Sequence, residues 1–194
     1  MKTCIYLSYK GLGANLLHLV YCHEIAKMYG PVTIITLCNN LEAALNDDPL
    51  IEKVIFIDKY HKRFTDILKL KKFLNIFNFD QIFIYYPSLR VYLASFFSNI
   101  KKIHSYPIFK KKNLHLVDAA KKFTEKCLGI NDCPTETNFF IKKNKIDEIN
   151  KNFNNKKFKI VIGAGSSGPT TRWVTKNFYS LINKLNNTGE YYFF

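Results

Sequence analysis

Residues 161–178, VIGAGSSGPTTRWVTKNF, decide how this chain is read. The apolar run 158–162 leading into them predicts a buried strand, and 177–185 predicts a helix. Between the two, residues 163–172 hold three glycines, two serines, two threonines and one arginine. Glycine lets a backbone approach a ligand because no Cβ intervenes. Backbone N–H groups at the following helix start, with Ser and Thr hydroxyls, form an anion cradle. Gly163, Gly165, Ser166, Ser167, Thr170 and Thr171 are the cradle candidates, and Arg172 adds a planar donor fork for phosphate oxygens. Trp173 is expected to pack the loop down. An ordinary strand–loop–helix turn favours the same residue types, so both readings stand. The stretch is neither a Gly-Lys-Ser/Thr phosphate loop nor a Gly-x-Gly-x-x-Gly turn.

Working outward, the chain has 194 residues, room for one full domain and part of another. Hydrophobic residues make up 47%, which excludes a disordered chain. No apolar run approaches the ~20 residues of a membrane span, and the start MKTCIYLSYKGLG has too short an apolar core for a signal peptide. A cytoplasmic location is the expectation. Cys4, Cys22, Cys38, Cys127 and Cys133 are scattered, without a CxxC pair, so no zinc site is expected. The net charge of +14 invites a nucleic-acid reading. The lysines, however, are spread along a chain rich in Lys, Asn, Ile, Phe and Tyr, and no nucleic-acid motif occurs. They suit solvated faces equally well, or a seat at an anionic membrane, where each adds ~1 kcal/mol.

The first 130 or so residues alternate short apolar runs with helical stripes. This predicts an α/β, Rossmann-like, doubly wound parallel sheet. Strands are expected at 4–8, 31–37, 53–57, 81–85 and 101–104. Helices are expected at 16–28, closed by Gly30-Pro31, and at 41–46 with Asn40 as cap. Further helices fit 64–77, 89–97 and about 115–128. Asp47-Asp48-Pro49 reads as a turn. Residues 133–140 are extended, and 145–153 form a helix within a polar linker. Domain bounds follow as 1–135, a linker at 136–157, and a second domain from 158 to 194. That second domain would hold a strand, the cradle loop, a helix and a last strand at 191–194.

Several of these stretches resemble one family. GAGSSGPTTRWVTKNFYSLI, residues 163–182, is similar to the start of the C-terminal domain of glycosyltransferase family 9, the ADP-heptose:lipopolysaccharide heptosyltransferases. Arg172 and Trp173 match, while Val174 stands where proline is usual. Gly13-Ala14-Asn15-Leu16-Leu17-His18 resembles the family's Gly-Asp-x-Leu turn after the first strand. His115-Leu116-Val117-Asp118 resembles its His-x-x-Asp/Glu helix. The likeness implies a GT-B architecture, in which the N-terminal domain receives the acceptor and the C-terminal domain binds the nucleotide-sugar.

The implied bacterial enzyme moves a heptose-like sugar from an ADP-linked donor to a lipid-linked glycan acceptor at the cytoplasmic membrane face. Its chemistry is inverting and needs no metal or other cofactor. Gly13, Asn15 and His115 would face the acceptor, and the cradle loop would hold the diphosphate. The family's aspartate base falls at Ala14, which cannot take a proton. His18 is then the nearest titratable group, either as the catalytic substitute or as a helix histidine with a structural hydrogen bond. Family members are nearly twice as long, so the chain is expected to stop within the second domain. Ala14 and that early stop equally suit an inactive binding protein or remnant.

Overall fold

Apolar runs and helical stripes resolve into β1 (Thr3–Leu7), α1 (Leu12–Leu16), α2 (Leu19–Tyr29), β2 (Val32–Thr36), α3 (Leu41–Leu45), β3 (Ile51–Phe56) and α4 (Thr65–Phe77). After them come β4 (Gln81–Ile84), α5 (Leu89–Phe96), β5 (Lys102–Ser105) and α6 (Leu116–Leu128). A second set comprises α7 (Lys143–Asn152), β6 (Phe158–Ile160), α8 (Thr175–Asn186) and β7 (Tyr191–Phe193). This computed structural model describes residues 1–58, 63–107, 114–152, 158–163, 165, 173–189 and 191–193. The chain divides into two units, Met1–Lys142 and Lys143–Phe194. The helix expected within a linker therefore belongs to the second unit.

In the first unit the five strands pair in parallel, in the order β3-β2-β1-β4-β5. This is the doubly wound, Rossmann-like arrangement expected from the alternation. Central strands are buried throughout because helices cover both faces. Residues alternate between the two faces. Ile5, Leu7, Ile34, Phe83 and Tyr85 pack with α2, α3 and α6. Cys4, Tyr6, Ile35, Ile82 and Ile84 pack with Leu70 and Leu74 of α4 and Val91 and Ala94 of α5. Burying a Leu or Ile in this way stabilises by roughly 1.5–3 kcal/mol each.

Two local expectations change. The helix expected over 16–28 is two helices, broken at Leu17-His18, where His18 takes the cap position of α2. Asn40 precedes α3, but its side chain makes no capping bond. Helix α2 ends at Gly30 with φ 88°, a conformation that excludes most other residues. The Asp47-Asp48 turn has an added task. Asp48 Oδ1 accepts the Leu50 N–H at 3.0 Å, and Oδ2 lies 2.6 Å from His23 Nε2 of α2. Both side chains are buried, and Phe140 packs edge-on against His23.

In the second unit β6 and β7 pair in parallel. Trp173 packs edge-on against Phe178 with ring centroids 4.9 Å apart, while remaining half exposed.

Breaking a buried pair from one side leaves the other group uncompensated. Asp48→Ala should therefore destabilise the first unit by about 3–5 kcal/mol. Urea unfolding followed by circular dichroism measures it, and a midpoint equal to wild type would show that the pair adds nothing.

Candidate functional site

The strand order reverses between β1 and β4, since β1 leads to β2 on one side while β3 crosses to β4 on the other. In open parallel sheets, ligands bind outside the carboxyl ends of the strands at such a point. Here the loop after β1 runs Ser8-Tyr9-Lys10-Gly11 into α1, and the loop after β4 runs Tyr85-Tyr86-Pro87-Ser88 into α5. Ser88 caps α5 through its hydroxyl, which accepts the Val91 N–H at 3.4 Å.

Asn15 holds the first loop in shape. Its Nδ2 donates to the carbonyls of Tyr9 at 2.9 Å and Gly11 at 2.7 Å. Its Oδ1 accepts from the Thr36 hydroxyl at 2.7 Å, and Thr36 Oγ1 accepts the Cys38 N–H at 3.1 Å. One buried amide thus joins the β1 loop to the end of β2. The expectation that Asn15 faces the acceptor meets this commitment, because both ends of the amide are held by the protein. Gly13 is exposed, and nothing lies within 4 Å of where its Cβ would stand. Bare backbone therefore faces outward there.

Tyr9 crosses the switch point. Its hydroxyl donates to the Tyr85 carbonyl at 3.0 Å, and its ring stacks on His18 at 4.8 Å and meets Tyr86 edge-on at 5.9 Å. His18 lies beneath it with no exposed surface, flanked edge-on by Tyr85 at 5.4 Å and Tyr21 at 6.3 Å. Its Nδ1 lies 2.7 Å from the Ala14 carbonyl, so Nδ1 carries the proton and donates. Nε2 is left as a buried lone pair with no partner among the described residues. Burial lowers the His18 pKa, partly opposed by the Ala14 hydrogen bond. The ring is therefore a neutral imidazole of fixed tautomer. The ring is enclosed by Tyr9 on one face and by Tyr21 and Tyr85 edge-on.

The surrounding tyrosines are neutral too. Burial, then Tyr86, pushes Tyr9 up to about 12, and burial, followed by Cys133 and nearby carboxylates, does the same for Tyr21. Burial raises Tyr85 and Tyr106 well above the ordinary phenol value. The Thr124 hydroxyl donates to Ala120 O at 2.8 Å, so Tyr85 Oη, 2.6 Å away, donates to Thr124. Tyr106 Oη is buried without a partner among the described residues. The sequence reading passed over this aromatic set. Its signal was a tyrosine just beyond three strand ends, at Tyr9, Tyr85 and Tyr106.

His115 is exposed at the start of α6, where Nδ1 accepts the Val117 N–H at 3.4 Å. The Val117 carbonyl in turn accepts from Tyr21 Oη at 2.9 Å, tying the start of α6 to the tyrosine set. In the second unit, Gly163 and Gly165 are exposed with open space where a Cβ would stand. Ser166, Ser167, Thr170, Thr171 and Arg172 lie outside the described residues. Among the described residues, no group of three His, Cys, Asp or Glu side chains is placed to hold a metal, and no helix is long and apolar enough to cross a membrane.

No protein-family model and no curated protein matches this sequence. Solved structures do match its fold. The glycosyl transferase family 9 protein of Veillonella parvula superposes with a TM-score of 0.71 at 18% identity, over 99% of this chain and 62% of that one. The E. coli heptosyltransferase WaaC with ADP-2-deoxy-2-fluoro heptose gives 0.62 at 14%, over 100% of this chain and 68% of that one. The E. coli ADP-heptose lps heptosyltransferase II gives 0.59 at 15%, over 100% and 63%. The chain spans about three-fifths to two-thirds of the length of these structures. At such identities the likeness establishes the fold.

Two outcomes test the site. Asn15→Leu leaves the Tyr9 and Gly11 carbonyls and the Thr36 hydroxyl without their partner. At ~1–3 kcal/mol per buried polar group, it should lower stability by at least about 2 kcal/mol in urea unfolding. A loss within error would show that water replaces the amide. For His18, the depressed pKa means the unfolded chain binds more protons than the folded one just below the ordinary histidine value of 6.5. Stability is thus fully present above that value and falls as pH drops through it. His104, also lowered by burial and by Lys102, adds in the same direction. The urea midpoint should fall between pH 7.5 and 5.5, and fall less in His18→Gln. Equal slopes would show that His18 titrates normally.

Proposed function

We propose that this chain carries the acceptor-side domain, and the start of the donor-side domain, of a family 9 glycosyltransferase. The carrying observation is the superposition on family 9 structures over essentially the whole chain. The family-like string at 163–182 supports it independently, because it falls where the second unit passes from β6 toward α8. The donor in this reading is a nucleoside-diphosphate sugar, ADP-linked and heptose-like. The acceptor is a hydroxyl of a lipid-linked cell-envelope glycan.

The roles follow from the chemistry of inverting transfer. Bond breaking places negative charge on the leaving diphosphate. N–H donors at Gly163 and Gly165, the hydroxyls of Ser166, Ser167, Thr170 and Thr171, and the Arg172 guanidinium suit that charge. The sugar carbon gains oxocarbenium character and is attacked from the opposite face. The acceptor lies over the exposed backbone at Gly13, with His115 at the rim. Its hydroxyl proton passes to a base, and general-base help is worth ~10²–10⁴ in rate. His18 Nε2 suits that task in charge and tautomer, and the buried ring must be uncovered to admit the hydroxyl. Metal ions have no assigned role in this scheme.

The burial of His18, with Ala14 unable to act as a base, supports a second reading: a protein that binds nucleotide-sugar without transferring it. Calorimetry with ADP, together with a transfer assay using ADP-heptose and a lipopolysaccharide core acceptor, separates the two. In both readings ADP binds, and Arg172→Ala weakens binding by about 1.5–3 kcal/mol. Only in the first does wild type transfer sugar, with Ala14→Asp faster and His18→Gln slower. Absence of ADP binding by the wild type would overturn both.

A further inference from the structure

We propose that the outer surface of α4 and α5 is a docking face for an anionic lipid bilayer. These adjacent helices cover one face of the sheet, and the Asn99 N–H donates to Asn75 Oδ1 at 2.9 Å to tie the end of α5 to α4. Their inward residues, Leu70, Leu74, Val91 and Ala94, are fully used by the core. The outward ones ought then to be polar. Instead Phe64, Leu68 and Ile76 on α4 and Phe96 and Phe97 on α5 are each more than half exposed. Phe64, Leu68 and Ile76 share one side of α4, since they lie four and eight residues apart. Large exposed apolar side chains gathered on a surface helix pair mark an interaction site.

Charge selects the partner. Residues 63–102 contain seven basic side chains, Arg63, Lys69, Lys71, Lys72, Arg90, Lys101 and Lys102, against two acidic ones. Both acids accept backbone N–H groups: Asp66, which is buried, from Arg63, and Asp80 from Lys2. Asp66 also lies 3.9 Å from the ammonium of Lys69, whose side chain stays mostly exposed. Lys69 and Lys72 stand on the same exposed side of α4 as Leu68 and Ile76. Large apolar side chains framed by lysines match an interface in which the rings enter the headgroup layer and the ammonium groups meet lipid phosphates. A protein partner needs no such excess of one sign. The face does not depend on sugar transfer, and binding to vesicles is measured without substrate.

Co-sedimentation of the whole chain with vesicles of phosphatidylcholine, with and without phosphatidylglycerol, tests the proposal. Binding is expected only where phosphatidylglycerol is present. Lys69→Glu/Lys72→Glu should reduce the partition coefficient at least about tenfold. Phe96→Ser/Phe97→Ser should do likewise, with Leu68→Gln/Ile76→Gln in its place should circular dichroism show the former unfolded. Lys122→Glu/Lys126→Glu, an equal charge change on α6, should leave partition near wild type. No binding of the wild type overturns the proposal, as does an equal loss in the α6 variant, which would mean diffuse charge. It is also overturned if sedimentation velocity shows a dimer that Phe96→Ser/Phe97→Ser disperses while vesicle binding is unaltered, since the face would then be covered by a second copy.

Discussion

A single buried amide, Asn15, sets the shape of the crevice on which the functional reading depends. The carboxyl end of β1 turns into α1 through a loop whose Tyr9 and Gly11 carbonyls both meet the Asn15 amide. Asn15 satisfies both and, through Thr36, locks them to β2. That clamp shapes the loop from which Tyr9 reaches across the switch point to the Tyr85 carbonyl and stacks on His18. An amide is suited to this because it donates and accepts at once. An aspartate there could not donate, and a leucine could do neither.

The break between α1 and α2 is the second consequence. A continuous helix would carry His18 as one more side chain on a stripe. Two short helices instead turn it under Tyr9, between Tyr21 and Tyr85. In that aromatic surround a charged imidazolium is poorly solvated, so the ring stays neutral. The Ala14 carbonyl then chooses the tautomer. The Nε2 lone pair thereby stays within the buried aromatic set.

The two faces of the sheet solve their outer surfaces differently. On one side, α2 and α6 pack against each other and Tyr21 bonds across to Val117. On the other, α4 and α5 bury a narrower stripe and leave phenylalanines and lysines outside.

Much of this was legible in the chain itself. Short β-branched runs spaced by helical stripes dictate a parallel sheet covered on both sides, because a strand apolar at every position has no face to give to water. The apolar run at 158–160 and the helical stripe at 175–186 likewise announced a strand and a helix on either side of the glycine, serine and threonine run. Strand order, by contrast, came from pairing between segments distant in sequence, and with it the place where Tyr9 meets Tyr85. Local patterns could not tell that Asn15 would be spent on the fold, that His18 would be sealed beneath a tyrosine, or that Asp48 would pair with His23. Each of those outcomes depends on what stands opposite a side chain once the sheet closes. Polar groups of one type serve a substrate or the core according to that neighbour, and only the tertiary structure supplies it.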